Sequence, residues 1–162
     1  MTDPSGSGVA EISRELGRLD PFSYWVVPSG SLSTAGDLIV AGTTGVFLIA
    51  AWPAPGAFSL SRGRPAVEGQ PVPGFRALRS DAKRLSARLA ASSVFGSVEP
   101  VVCLTDAAMG MPRTVKGVRI LPIGELVKDL TARPRVMEQI RVRRAARVLG
   151  VQIPGDSRRH FA

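Results

Sequence analysis

The sequence predicts a mixed α/β fold, in which one sheet combines antiparallel and parallel strands. Apolar residues from Val9 to Leu19 recur every three or four positions, and the same spacing returns from Phe75 to Leu89, so both segments are predicted helices. Between them, residues 38–61 carry no charge and begin with two apolar runs around a Gly/Thr turn, which predicts a buried hairpin. A strand meander that continues through a helix into further strands is typical of a mixed sheet.

The length of 162 residues suits a single domain. The first helix is predicted to end at Asp20-Pro21, because proline disfavours helical backbone in the residue before it. A strand over 22–27 and a Ser/Gly-rich loop follow. The later predicted elements are strands 37–41 and 45–51, a short hairpin of 57–60 with 66–68, helix 75–89, strand 100–104, loop 106–116, strand 118–121, helix 124–131 and a last helix 134–149. Pro134 is placed at the start of that helix because proline is favoured in the first helical turn.

Positive charge is concentrated towards the end of the chain. The formal net charge is +8, and residues 133–162 hold eight arginines against Glu138 and Asp156. The first 132 residues are nearly balanced. This division predicts a Gly/Ser-rich flexible start at 1–7, a compact domain at 8–132, a basic helix at 133–150 and a flexible basic tail at 151–162.

The composition argues against several classes of protein. Cys103 and His160 are the single cysteine and histidine, so an intrachain disulfide, a zinc site and a Cys–His or Ser–His pair in the core are not expected. The apolar run 38–52 is shorter than a membrane span and is broken by Gly42 and Gly45. The first residues lack the pattern of a signal peptide. We therefore expect no membrane association and a cytoplasmic location.

Two carboxylates are candidates for chemistry. Asp37 opens an apolar strand, where a carboxylate is costly unless it is solvated, paired or bound to metal. Taken alone, it is better explained as a cap on the Gly36 turn. Glu11 lies off the apolar stripe of the first helix, so it is either a solvated surface residue or a second acid facing a cleft with Asp37.

Three sequence features in the predicted order α-β-β-β-α-β carry a resemblance to a known family. They are the run Gly8-Val9-Ala10-Glu11, the hairpin GDLIVAGTTGVFLIAAW, and a Pro-rich segment leading into a basic helix. Together they resemble the nuclease-related domain (NERD) family over about residues 8–130. The resemblance implies a restriction-endonuclease-like α-β-β-β-α-β core followed by C-terminal helices. It also implies a PD-(D/E)xK site in which Glu11 and Asp37 match two of the acids that hold Mg²⁺.

The third strand departs from the family pattern. Ala50 and Trp52 stand where the family places the second acid and the lysine, and Arg76 aligns with a position that often holds glutamine. Loss of one electrostatic group commonly costs about 10²–10³ in rate, so loss of two is expected to end cleavage. Lys83, from the next helix, is an alternative source of the missing cation. Trp52 is expected to fill the vacated metal pocket.

Two basic helices are candidates for binding nucleic acid. Their residues are Arg76, Arg79 and Lys83 on the earlier helix, and Arg135, Arg141, Arg143, Arg144 and Arg147 on the last one. Clustered arginine neutralises phosphates, but the same pattern also suits a solvated helix face that keeps a protein soluble. Binding is better supported if both helices face one side. Beyond Phe95 the only aromatic residue is Phe161, so base stacking is not expected there.

Three functions remain as hypotheses from the sequence. The first is a non-catalytic, nuclease-like domain, without a cofactor, that binds DNA or RNA non-specifically or binds a partner protein. The second is a divergent Mg²⁺-dependent nuclease that uses Glu11 and Asp37 as metal ligands, with Lys83. The third is a structural or assembly module that meets its partner through the apolar hairpin and Trp52.

Overall fold

The computed structural model describes residues 4–150 apart from 95, 109 and 111. The expected tail at 151–162 lies outside the described residues, as do residues 1–3 of the expected flexible start. The α-helices are α1 Pro4–Leu16, α2 Phe75–Ala91, α3 Leu126–Thr131 and α4 Gln139–Val148. Single 3₁₀ turns span Gly30–Leu32 and Ile123–Glu125. Among the described residues no helix is long and apolar enough to span a membrane.

The strands form one large and one small sheet. In chain order they are β1 Tyr24–Pro28, β2 Leu38–Gly42, β3 Gly45–Trp52, β4 Gly56–Ser61, β5 Arg64–Val67, β6 Gln70–Pro71, β7 Val98–Leu104, β8 Ala107–Ala108, β9 Arg113–Val115 and β10 Val118–Pro122. The main sheet has the order β1-β2-β3-β7-β10-β9. Strands β1 to β3 are an antiparallel meander, β3, β7 and β10 run parallel, and β9 is antiparallel to β10. The small sheet joins β4, β5 and β6, with β8 parallel to β4.

The predicted hairpin is the centre of the main sheet. All five residues of β2 are buried, which explains why this run carries no charge. A tight turn links β2 to β3. Gly42 is required there, because a Cβ at this position would lie 2.1 Å from the Tyr24 ring. The hairpin therefore supplies both faces of the sheet with apolar side chains.

Helices cover both faces of the main sheet, which makes three layers. On one face, Ile12 and Leu16 of α1 and Leu126 and Leu130 of α3 join one buried core cluster with β2, β3 and β7. On the other face, the apolar stripes of α2 and α4 join the second cluster. We call these the α1/α3 side and the α2/α4 side. The alternation of strand residues between the clusters follows the two-residue period of a strand.

The mixed α/β class predicted from the sequence is confirmed. The order α-β-β-β-α-β is present from α1 to β7, with strands β4 to β6 of the small sheet inserted between β3 and α2. Helix α2 matches its predicted range closely, since Leu78, Ala82, Leu85 and Leu89 are all buried. The largest differences from the prediction are the bounds of the first and last helices and three short strands, β6, β8 and β9, that were not predicted.

The last helix begins at Gln139, so the predicted start at Pro134 is wrong. The amides of Val136 and Met137 both donate to the Thr43 carbonyl in the β2–β3 turn, and Met137 is buried. These contacts hold residues 134–138 in a non-helical path. Arg135 therefore precedes α4 and is not part of it.

The first helix occupies Pro4–Leu16, earlier than the predicted 9–19, and it ends in tighter turns in which the amides of Arg18 and Leu19 donate to the carbonyls of Glu15 and Leu16. Within the predicted loop 106–116, Arg113–Val115 forms strand β9. Lys116 and Gly117 both have positive φ and make the two-residue turn into β10. Gly117 readily adopts the positive φ of such a turn, whereas Lys116 stands where Asn, Asp or Gly is preferred, so the sequence signal was weak.

Candidate nucleic-acid interface

Asp37 closes the open end of the β2–β3 hairpin. Its amide donates to the Ile49 carbonyl at 2.8 Å, and its half-buried carboxylate accepts a hydrogen bond from the Ala51 amide at 2.8 Å. The carboxylate thus satisfies a backbone donor at the point where the strands separate. This is a structural role close to the turn cap considered from the sequence.

Glu11 lies on α1, which covers the α1/α3 side. Burial raises the pKa of the Cys103 thiol, and the nearby charges of Glu15 and Glu11 raise it further, so both glutamates lie near β7. Cys103 itself is fully buried, as expected for an inert thiol. Across the described residues, no group of three or more His, Cys, Asp or Glu could hold a metal ion.

Ala50 and Trp52 of β3, which the resemblance to the NERD family aligns with an acid and a lysine, pack against the core on the α2/α4 side. Glu11 is on the helix that covers the opposite side. The Trp52 indole is partly buried, and its Nε1 is buried without a hydrogen-bond partner among the described residues. The Trp52 ring is therefore part of the packed interior at this end of β3.

The two basic helices lie on the same side of the main sheet. Helix α2 packs on β7 and β3, α4 packs on β2, and the two helices contact each other. Together they carry nine basic residues and one acidic residue, Asp81. The basic residues are Arg76, Arg79, Lys83, Arg84 and Arg88 on α2, and Arg141, Arg143, Arg144 and Arg147 on α4. All are exposed except Arg79, which is half-buried. We call this surface the basic face.

Most cations of the basic face have no acidic partner. Arg84 pairs with Asp81 at 3.1 Å. Within the described residues, seven others form no ion pair: Arg76, Arg79, Lys83, Arg88, Arg141, Arg143 and Arg144. Like charges three or four residues apart on a helix repel one another. This surface is therefore poised to attract an anion.

Arg135 extends the basic face beyond the start of α4. It is exposed, and its Nε donates to the Met137 carbonyl at 3.5 Å. With Arg141 and Arg144 it lines an open groove of about 740 Å³, whose apolar part includes the exposed side chain of Ile140. Three of the five predicted arginines of the last segment thus line one groove, which the acidic Glu138 also lines, and four of the five are on the helix.

Asp81 is a structural residue that sequence reasoning missed. Its Oδ2 accepts hydrogen bonds from the Ser33 hydroxyl at 2.6 Å and from the Thr34 amide at 3.2 Å, and its Oδ1 accepts one from Arg84. Burial by itself raises the pKa of Asp81, but these hydrogen bonds and the Arg84 charge lower the pKa below its usual value. Asp81 therefore fastens the loop before β2 to α2. Its position on the apolar stripe, three residues after Leu78, was the available signal.

The α1/α3 side has a different electrostatic arrangement. Asp129 of α3 accepts from Arg119 at 2.6 Å and from Arg133 at 3.0 Å, and Arg133 also pairs with Glu99. The Arg133 guanidinium lies 5.0 Å from the centroid of the buried Phe47 ring. Burial lowers the pKa of Arg133 from its usual value. The cations of this network are neutralised inside the domain.

Comparisons with family models, with curated proteins and with solved structures gave no match. The resemblance to the NERD family remains an expectation from the sequence.

Proposed function

We propose that this chain is a non-catalytic, nuclease-like domain that binds the phosphate backbone of nucleic acid through the basic face. The observation that carries the proposal is the placement of α2 and α4 on one side of the sheet, with nine basic residues against one buried acid. The sequence alone left open whether the two helices face the same way.

The chemistry of the basic face favours contacts with phosphates. Arginine forms two parallel hydrogen bonds to phosphate oxygens, and each neutralised phosphate releases counterions. Neither exposed helix surface presents an aromatic side chain for stacking, apart from Phe75 at the start of α2. Binding is therefore expected to depend on charge more than on base sequence.

The hairpin region supports the non-catalytic part of the proposal. Trp52 and Ala50, which the resemblance aligns with the family's lysine and second acid, pack against the core. The Asp37 carboxylate accepts a hydrogen bond from the Ala51 amide. A water activated by metal needs several oxygen ligands and a cation for the developing charge. The residues at this site do not supply that set. Lys83 is exposed on α2 as part of the basic face.

The assembly alternative has less support at the hairpin. All of β2 is buried within the domain, so this apolar run is used in the core. Trp52 is likewise packed against the core. The unpaired cations of the basic face are the larger unexplained feature.

The proposal is tested by fluorescence anisotropy with a labelled duplex at low salt. The double variant Lys83→Glu/Arg143→Glu reverses one charge on each basic helix and is expected to weaken binding about tenfold or more. The matched control, Arg14→Glu/Lys128→Glu, reverses one exposed charge on each helix of the α1/α3 side and is expected to bind nearly like the wild type. Equal loss in both variants, or no binding by the wild type to DNA or RNA, rejects the proposal.

A further inference from the structure

A separate cavity of about 260 Å³ lies beside the first turn of α2, where that helix meets the small sheet and the β9–β10 turn. Four basic side chains line it: Arg64, Arg76, Arg79 and Lys116. Among the described residues, no acidic side chain lines the cavity. We call it the cationic pocket.

The four cations come from three separate parts of the chain. Arg64 begins β5, Arg76 and Arg79 belong to α2, and Lys116 occupies the β9–β10 turn. In the part of the chain that the structure describes, none of the four forms an ion pair. Bringing several like charges to one cavity costs electrostatic energy that a bound anion offsets. The arrangement therefore favours a ligand with more than one negative charge.

The remaining wall of the pocket is apolar. Phe75 is half-buried, and Val72 and Pro65 are buried beside it. Arginine and an aromatic ring both stack on flat groups. The volume is below the range of roughly 300–1,000 Å³ typical of sites for drug-sized ligands. The pocket thus suits a single phosphorylated group and one attached ring.

We propose that the cationic pocket binds a phosphate monoester of a sugar that carries a flat ring, which is the chemistry of a mononucleotide. The phosphate contacts the four cations, and the ring lies against Phe75. No side chain caps the start of α2, so the partial positive charge of its first turn adds to that of the pocket. The ligand is either a free mononucleotide or the phosphorylated end of a strand on the basic face, and the latter source rests on the proposed function.

The test uses isothermal titration calorimetry of the full chain with adenosine monophosphate, adenosine and inorganic phosphate. Adenosine monophosphate is expected to bind about tenfold or more tightly than adenosine, because it adds charge-assisted hydrogen bonds. It is also expected to bind more tightly than inorganic phosphate, which lacks the ring. The pocket variant Arg64→Glu/Lys116→Glu should lose this binding about tenfold or more.

A matched control is available beside the pocket. Arg62 and Arg113 are exposed, lie close to Arg64 and Lys116 in the chain, and do not line the cavity. The control variant Arg62→Glu/Arg113→Glu should bind adenosine monophosphate like the wild type. Thermal unfolding of both double variants verifies that each is folded.

A second titration identifies the source of the phosphate. Oligonucleotides with and without a 5′-phosphate are compared by anisotropy, in the wild type and in the pocket variant. A preference for the phosphorylated end that the pocket variant loses supports the pocket and assigns it to strand ends. Binding of adenosine monophosphate without that preference supports the pocket and assigns it to free nucleotides.

The proposal is overturned if neither adenosine monophosphate nor the 5′-phosphate improves binding, or if the pocket and control variants lose binding equally. Failure of the proposed function gives a different result. A closed circular duplex has no strand ends, so its binding reports on the basic face alone. Retained binding of the circle with no effect of monoesters rejects the pocket and leaves the proposed function standing.

Discussion

The α2/α4 side and the α1/α3 side bury comparable apolar stripes but carry their charges differently. Helices α2 and α4 hold nine basic residues and one acidic residue, whereas α1 and α3 hold two basic and three acidic residues. On the α1/α3 side, Arg119 and Arg133 are paired with acids, but seven of the nine cations on α2 and α4 form no ion pair within the part of the chain that the structure describes. Charged side chains that stabilise a fold form ion pairs within it, and most cations of the basic face do not.

The charges that make up the net +8 are therefore unevenly distributed over the surface of the domain as well as along the chain. The first 132 residues are almost neutral in total, yet they include the five cations of α2. Their balancing acids lie largely elsewhere in the domain. The small net charge of the first 132 residues thus does not reveal the basic surface, because the acids that balance the cations of α2 lie largely on other parts of the folded domain.

The largest expected effect on stability comes from removing the acid at the centre of the paired network. Asp129→Ala leaves Arg119 and Arg133 without their shared partner, and the side chain of Asp129 is only 10% exposed. We expect a loss of roughly 3 kcal/mol in the free energy of unfolding. Urea denaturation measures it. Nucleic-acid affinity in the folded protein should be unchanged, and a parallel loss of affinity would contradict the division between the two sides.

Asp81→Asn is the corresponding change on the α2/α4 side. It removes the charge that accepts from Ser33, Thr34 and Arg84, so we expect a loss of about 1–3 kcal/mol. Ser80→Ala, at the exposed neighbouring position, is the control and should be nearly neutral. A neutral Asp81→Asn would show that the loop before β2 does not depend on this carboxylate.

The lowered pKa of Asp81 predicts that the free energy of unfolding depends on pH. Because the folded-state pKa of Asp81 is lowered, its contribution is present above the unfolded pKa of about 3.9 and is lost as the pH falls through the lower folded value. Acid should therefore destabilise the wild type more than Asp81→Asn. Urea midpoints measured between pH 6 and about 2.5 test this, and parallel curves for the two proteins would contradict it.

The order of elements and the central hairpin were predictable from the sequence because local patterns determine them. The spacing of the apolar residues predicts helix α2, and the absence of charged residues predicts the buried strands β2 and β3. The path of residues 134–138 was not predictable, because it depends on the Thr43 carbonyl, which is distant in sequence. The side of the sheet on which each helix packs is likewise a tertiary property. Sequence spacing could not place Glu11 on the side opposite Ala50 and Trp52.

The site at Trp52 offers a smaller test. Its indole N–H is buried without a partner among the described residues, so the ring is needed for packing more than for hydrogen bonding. Trp52→Phe should cost less than about 1.5 kcal/mol, whereas Trp52→Ala should cost about 2 kcal/mol, because removal of this partly buried ring leaves a cavity smaller than that of a fully buried one. Chemical denaturation compares the two variants. Similar losses for both would point to an essential role for the indole nitrogen.

The smallest expected effect is a gain in stability on the basic face. Arg79 and Lys83 lie four residues apart on α2, where like charges repel. Lys83→Gln should therefore stabilise the protein by a few tenths of a kcal/mol at low salt, while it weakens nucleic-acid binding. Differential scanning calorimetry at two salt concentrations measures the change. A loss of stability at low salt would mean that the charge contributes to the fold.

The most direct test of the central claim is the salt dependence of nucleic-acid binding. If the unpaired cations contact about five phosphates, the slope of log Kobs against log salt concentration should be about −4 to −5 for a duplex. Lys83→Glu/Arg143→Glu should make the slope shallower by about 2, and Arg14→Glu/Lys128→Glu should leave it unchanged. A slope near zero, or equal slopes in the two double variants, would contradict the assignment of the basic face as the binding surface.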